Sequence, residues 1–189
     1  MSKNIITPTF RVAFPNVFVP VSYQGIGAPQ YSISMIFDID SDLKELKAAI
    51  LEIAKITFPK RDIKTLKLPF RDGNTILHKE TGEQYDMYKN KLVFTASSKK
   101  RRPEIINAKK EPITSEGDFY AGCYARASIL PYAYTLNGGG VSLGLQNIQK
   151  IRQGEPFISF VAADDEFDRV EMPDDSDIKP EESAFSDLM

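Results

Sequence analysis

The chain has 189 residues, 42% of them hydrophobic, which is enough to bury the core of one domain. Its formal charge of −2 hides an asymmetry: residues 164–189 hold eleven acids against Arg169 and Lys179 and carry −9, whereas residues 1–163, with 22 basic and 15 acidic residues, carry +7. One cysteine, Cys123, rules out an internal disulfide, and one cysteine with one histidine, His78, rules out a thiolate–imidazole zinc site.

The N-terminus shows no apolar signal region, and no apolar run approaches the roughly 20 residues of a membrane helix. The expectation is a cytoplasmic chain with no membrane association, no metal and no cofactor.

Along the chain, "TFRVAF" alternates apolar and polar residues and stops at Pro15. "YSISMIFDI" puts Tyr31, Ile33, Met35, Phe37 and Ile39 on one face of a strand, with Ser32, Ser34 and Asp38 opposite. The Gly- and Pro-punctuated "YQGIGAPQ" connects the two. Leu43, Leu46, Ile50, Ile53 and Ala54 then recur at helical spacing, which predicts a helix over about residues 41–57. Asp40, Ser41 and Asp42 favour its start, and Pro59 ends it.

Residues 60–91 read as irregular, with turn signals in "RDGN" and "ETGE". "KLVFTAS" is a strand that runs into the basic "KKRRP". "DFYAGCYARASI" and "GGGVSLGLQNI" are two further strands, the second with Val141, Leu143 and Leu145 on one face. "PFISFVA" is the last apolar segment. Short strands, one helix and Gly/Pro turns make a mainly β, OB-fold-like small barrel, although composition alone does not separate an OB-fold from other small barrels. The expected domains are a body of residues 1–163 and a disordered acidic tail of residues 164–189.

Enzyme chemistry finds little support. His78 stands in the loop sequence "NTILHKETG", Cys123 alternates with small alanines as a core residue does, and "GGG" at 138–140 lacks the lysine of a phosphate loop. Acidic residues concentrate in the tail, where carboxylates keep no fixed separation. The expectation is that the protein is not an enzyme.

Nucleic acid fits better. Binders of single strands combine cations for phosphates with aromatic faces on which bases stack. In "YAGCYARASILPYAY", read as a strand, Tyr120, Gly122, Tyr124, Arg126 and Ser128 share one face, while Ala121, Cys123, Ala125, Ala127 and Ile129 pack behind it. Lys99, Lys100, Arg101 and Arg102 form a cationic loop, and Lys91 and Arg71 add to the basic set. The helix starts acidic, unlike a groove-reading helix, so backbone and stacking contacts are expected over reading of duplex bases. The rival reading is a protein–protein interaction or structural module whose basic loop meets an acidic partner.

These pieces resemble the bacteriophage single-stranded DNA-binding proteins, a group long filed as a domain of unknown function. The resemblance covers most of residues 8–160 and rests on the order of "PNVFVP", "PQYSISMIFDID", "LPFRDGN", "ASSKKRRPEIIN", "YAGCYARASILPYAY" and "GGGVSLGLQNIQKIRQGEPF". It implies an OB-fold and single-strand binding with little sequence preference in phage DNA replication, recombination or repair. It implies DNA contacts by Arg71, by Lys99 to Arg102, and by Tyr120, Tyr124 and Arg126.

The tail reads as a phosphate mimic that competes with DNA for the body. Its apolar tip of Phe185, Leu188 and Met189 then offers a handle to phage replication proteins. Family tails end on an aromatic residue, whereas Phe185 lies four residues from this end. The partners expected are single-stranded DNA, replication proteins and, in a homo-oligomer, further copies of the chain.

Overall fold

In a computed structural model the described residues are 4–22 and 27–157. They form strands β1 (Ile5–Ile6), β2 (Phe10–Val21), β3 (Gln30–Asp38), β4 (Phe70–Asp72), β5 (Lys91–Ser98), β6 (Glu104–Ile106), β7 (Tyr124–Tyr134) and β8 (Gly140–Arg152), and one helix, α1 (Lys44–Thr57). β2 pairs antiparallel with β3, and β3 with β5. β5 runs parallel to β8, β8 pairs antiparallel with β7, and β7 returns to β2. Five strands thus close a ring, which removes the open edges a flat sheet would leave. β1, β4 and β6 are short additions to β7, β5 and β8.

Alternation along the strands fills the barrel. Phe10 and Val12 of β2, Ile33, Met35 and Phe37 of β3, and Phe94 and Ala96 of β5 all point inward and are buried. Ala125, Ala127 and Ile129 of β7 and Val141, Leu143 and Leu145 of β8 close the other side. Phe37 meets Phe10 edge-on at 5.7 Å and Phe94 at 5.5 Å, and Phe70 stacks on Phe94 at 5.1 Å. Each buried side chain of this size contributes about 1.5–3 kcal/mol by leaving water. Ile39, expected on the same face, lies past the end of β3 and is exposed.

α1 lays Leu46, Ile50 and Ala54 into this core and packs against β7 and β8. It starts at Lys44, three residues later than the spacing predicts, because buried Leu43 takes the cap position. Of the three acidic and hydroxyl residues before it, Asp42, one residue ahead of the cap, accepts from the Lys44 N–H on its Oδ1 at 3.3 Å. The helix stops two residues before Pro59, whose ring excludes the preceding residue from helical geometry.

The strand expected from Tyr120 begins only at Tyr124. Gly122 adopts φ +114°, and a Cβ there would lie 2.2 Å from the Glu155 carbonyl oxygen, so the chain turns where only glycine fits. The Gly122 N–H donates to Val12 O at 2.8 Å, and the Val12 N–H donates to Cys123 O at 2.9 Å. The turn is thereby tied across β2. The packing half of the expected alternation stands, with Cys123, Ala125, Ala127 and Ile129 buried. Burial pushes the Cys123 thiol above its ordinary pKa, in keeping with a core residue.

A second small cluster, Ala13, Ile36, Tyr88 and Val93, lies on the outer side of the β2–β3–β5 sheet. Residues 73–90, read from sequence as irregular, lay Ile76, Tyr85 and Met87 over it. Tight turns at Gly73–Thr75 and Asp86–Tyr88 and a bridge between Leu77 and Gln84 shape this cover. The chain divides into two units, Met1–Ile158 and Ser159–Met189, five residues before the boundary expected from charge. The tail, with Phe185, Leu188 and Met189, lies outside the described residues.

Candidate nucleic-acid interface

Strand register sets out a row of side chains across the barrel's outer surface. Arg71 of β4 pairs with Val93 of β5, Val93 with Ile36 of β3, Ile36 with Arg11 of β2, and Arg11 with Tyr124 of β7. Partners directly opposite share a face, so Arg71 and Arg11 flank an apolar centre that Tyr88 covers. The next rows are polar: Thr95 opposite Ser34, then Ser97 opposite Ser32, with Asn16 Nδ2 donating to Ser32 Oγ at 3.4 Å. Four hydroxyls thus pave the sheet from Arg71 toward the end of β5.

A groove of about 640 Å³ opens on this face. Its floor includes Ser34, Thr95 and Val93, its walls include Phe14, His78, Tyr85 and Tyr88, and Arg71 reaches its rim. His78 stacks on Tyr85 with ring centres 3.5 Å apart, and Phe14 stands edge-on to Tyr85 at 6.1 Å. Tyr88 also meets Tyr85, at 5.4 Å. Burial raises the Tyr88 pKa to about 12 despite the Ser34 hydroxyl beside it, so its phenol stays neutral at any ordinary pH. Lys79 and Glu80 also line the rim, and Glu80 is the one carboxylate among the lining residues.

Phe14 is 49% exposed and holds φ +44°, a left-handed conformation that bulky residues rarely take. It sits at an irregularity in the β2–β3 register between Ala13 and Asn16, which breaks the alternation of "TFRVAF" and turns the ring outward.

The basic loop stands at the far end of the hydroxyl rows, where Ser98 of β5 pairs with Tyr31 of β3. Arg101 is an anchor: its Nη2 donates to Gln146 O at 3.0 Å and to Asn147 Oδ1 at 2.7 Å. Arg102 lies over the Phe18 ring at 5.1 Å, leaving its edge to solvent. Lys99 and Lys100 are exposed and make no ion pair among the described residues. Lys91, in contrast, is paired with Asp38, the single ion pair among the described residues. Its charge is neutralised locally.

The two tyrosines singled out from sequence sit apart from the groove. Tyr124 carries the Arg152 guanidinium on its ring at 3.4 Å, with Arg11 at 5.8 Å. Tyr120 is fixed by its hydroxyl, which donates to Gln153 Oε1 at 2.7 Å or Gly154 O at 2.8 Å, under the ammonium of buried Lys150. Arg126 donates to Gln149 Oε1 at 2.8 Å, beside Ile6 rather than beside the groove. Of the residues expected from sequence, Arg71 lines the groove and Tyr124 ends the same row of the sheet, whereas Lys99, Lys100 and Arg102 belong to the loop that follows β5. Phe14, Tyr85 and His78 were not among them, and the signal for Phe14 was the break in alternation before Pro15. Among the described residues, no cluster of three or more His, Cys, Asp or Glu side chains could hold a metal, and no helix is long and apolar enough to cross a membrane.

A closed five-stranded barrel with an aromatic and cationic groove on its outer sheet defines an oligonucleotide-binding type of architecture. The chain belongs to the family described as Enterobacter phage Enc34, ssDNA-binding protein, whose pattern matches residues 3–178. It is 32% identical over 181 residues to the putative protein p50 of Acyrthosiphon pisum secondary endosymbiont phage 1, covering 89% of this chain and 94% of that one.

Among solved structures it resembles the single-stranded DNA-binding protein of bacteriophage Enc34 in complex with ssDNA, with TM-score 0.69 and 21% identity over 82% of this chain and 89% of that one. It also resembles gp2.5, a single-stranded DNA-binding protein of bacteriophage T7, with TM-score 0.55 and 12% identity over 88% and 93%. At these identities the two likenesses establish the fold.

Proposed function

We propose that this protein coats single-stranded DNA with little sequence preference during phage DNA replication, recombination or repair. The observation that carries the reading is the outer sheet face. It joins an aromatic groove to the exposed cations of the basic loop across a floor of hydroxyls, where a surface with no ligand would have no use for exposed rings. Ring faces accept any base, ammonium and guanidinium groups accept any phosphate, and serine and threonine hydroxyls bond either. The Enc34 protein's structure with ssDNA supports the reading through the shared family.

The tail has its own proposed role. Phe157, the last described residue, donates its N–H to Ala121 O at 3.2 Å, lies 4.3 Å under the Arg11 guanidinium, and packs on the cluster behind the groove. In this reading the carboxylates of residues 164–189 compete with phosphates for the basic face of the body. DNA binding releases them and presents Phe185, Leu188 and Met189 to replication proteins.

Fluorescence anisotropy with single-stranded DNA, duplex DNA and RNA at two salt concentrations tests the main reading. With about five phosphates neutralised, the single-strand slope of log affinity against log salt is about −3.5, so fourfold more salt costs about a hundredfold in affinity. A slope near zero, or no binding to single-stranded DNA, would falsify it. The latter result would favour an acidic protein partner for the basic loop.

A further inference from the structure

We infer a second stretch of the single-strand path beyond the groove, on the clasp between residues 58–67 and the tip of the β7–β8 hairpin. It takes the phosphodiester backbone of nucleotides that run past Arg71. This extends the proposed single-strand reading and rests on it.

The hairpin tip is held by the segment that leaves α1. Arg61 Nη1 donates to Gly138 O at 2.6 Å, and the Arg61 guanidinium lies 5.5 Å over the Phe58 ring. The Lys67 N–H donates to Gly139 O at 3.3 Å, and the Val141 N–H donates to Lys67 O at 2.9 Å. A Cβ on Gly140 would lie 2.3 Å from Lys67 O, so glycine is what lets the two backbones meet. These contacts fix the main chain of residues 58–67 and leave its ammonium groups outside.

Lys60, Lys64 and Lys67 are exposed, and none makes an ion pair among the described residues. Asp62, the one acid in the segment, has its carboxylate turned to the Lys64 backbone N–H at 2.9 Å. With Arg61, four cations therefore stand against one acid in residues 58–67. Next to them the hairpin exposes Leu136 at 77% and Tyr132 at 42%. An apolar tip among exposed cations does nothing for the core, but it is the surface a base and its phosphates need.

Continuity with the groove is covalent. Lys67 directly precedes Leu68 and Pro69, both of which line the groove, and Pro69 O accepts from the Thr95 N–H at 3.0 Å. A strand leaving the groove at Arg71 meets Lys67 first, then Lys64 and Lys60. Ammonium groups on flexible stems suit the backbone as point charges and impose no base preference.

The test compares the full chain with its Lys60→Ala/Lys64→Ala/Lys67→Ala variant on thymidine oligonucleotides of about 5 and about 16 nucleotides, near the limits one such barrel covers. The short oligonucleotide should bind both proteins within about twofold. On the long one the variant should lose about 2 from the magnitude of the salt slope, at about 0.7 per phosphate. Equal affinity and slope for the variant on the long oligonucleotide overturns the second stretch and leaves the single-strand reading standing. Equal losses on both lengths also overturn it, because the lysines would then act as a general field. Failure of the unaltered chain to bind either length overturns the single-strand reading itself.

Discussion

Phe14 holds its left-handed backbone, φ +44°, at a cost of about 1–2 kcal/mol that glycine would not bear. In return its ring stands half exposed at the mouth of the groove, edge-on to Tyr85. Strain kept at an exposed aromatic residue points to use of the ring, because folding alone would favour a smaller residue there. Phe14→Gly separates the two effects. Relief of the backbone offsets the lost ring pair, worth about 0.5–1.5 kcal/mol, so thermal stability should hold within about 1 kcal/mol. Affinity for single-stranded DNA should fall by the loss of one stacked base, about 1–3 kcal/mol or roughly 5- to 150-fold, with the salt slope intact. Unchanged affinity in an equilibrium titration removes Phe14 from the interface. A changed slope means that the substitution disturbed the cations as well.

At the scale of elements, the basic loop after β5 divides its four cations between two tasks. Arg101 ties the loop to β8 through Gln146 and Asn147, while Lys99 and Lys100 face solvent and make no ion pair among the described residues. Lys99→Ala with Lys100→Ala should therefore lower the magnitude of the salt slope by about 1.4 and leave the melting temperature alone. Arg101→Ala should instead cost about 1 kcal/mol of stability through its lost hydrogen bonds. Calorimetry beside salt titrations reads both, and the same loss of slope from Arg101→Ala alone would contradict this division.

The loop, the inward faces of the strands and the helix were legible in the sequence because each is a local pattern: a charge run, a period of two, a period near 3.6. The start of β7 was not, because Gly122 turns under a contact with Glu155 that lies 33 residues away in the chain. The contacts of Tyr120 and Tyr124 were not legible either, because Arg152 at the end of β8 and Gln153 and Gly154 just after it reach them from far along the chain. His78 and Tyr85 sit in a stretch with no period at all. Their stacking comes from the short bridge between Leu77 and Gln84, which no spacing rule announces.

For the whole molecule the decisive quantity is the split of charge, +7 in residues 1–163 against −9 in residues 164–189. A tether between opposite charges makes their encounter intramolecular, at an effective concentration of about 1 mM. If the free tail binds the basic face with a dissociation constant of about 0.1 mM, the tethered tail occupies it about ten times out of eleven, and DNA binds about tenfold more weakly. Deleting residues 164–189 should then tighten single-strand binding about tenfold at low salt, and the gain should shrink as salt screens the competitor. Adding the tail as a separate peptide at about 1 mM should restore the weaker affinity. Affinity unchanged or reduced by the deletion at low salt would show that the acids only keep the protein in solution, and Phe185, Leu188 and Met189 would lose the release step that presents them.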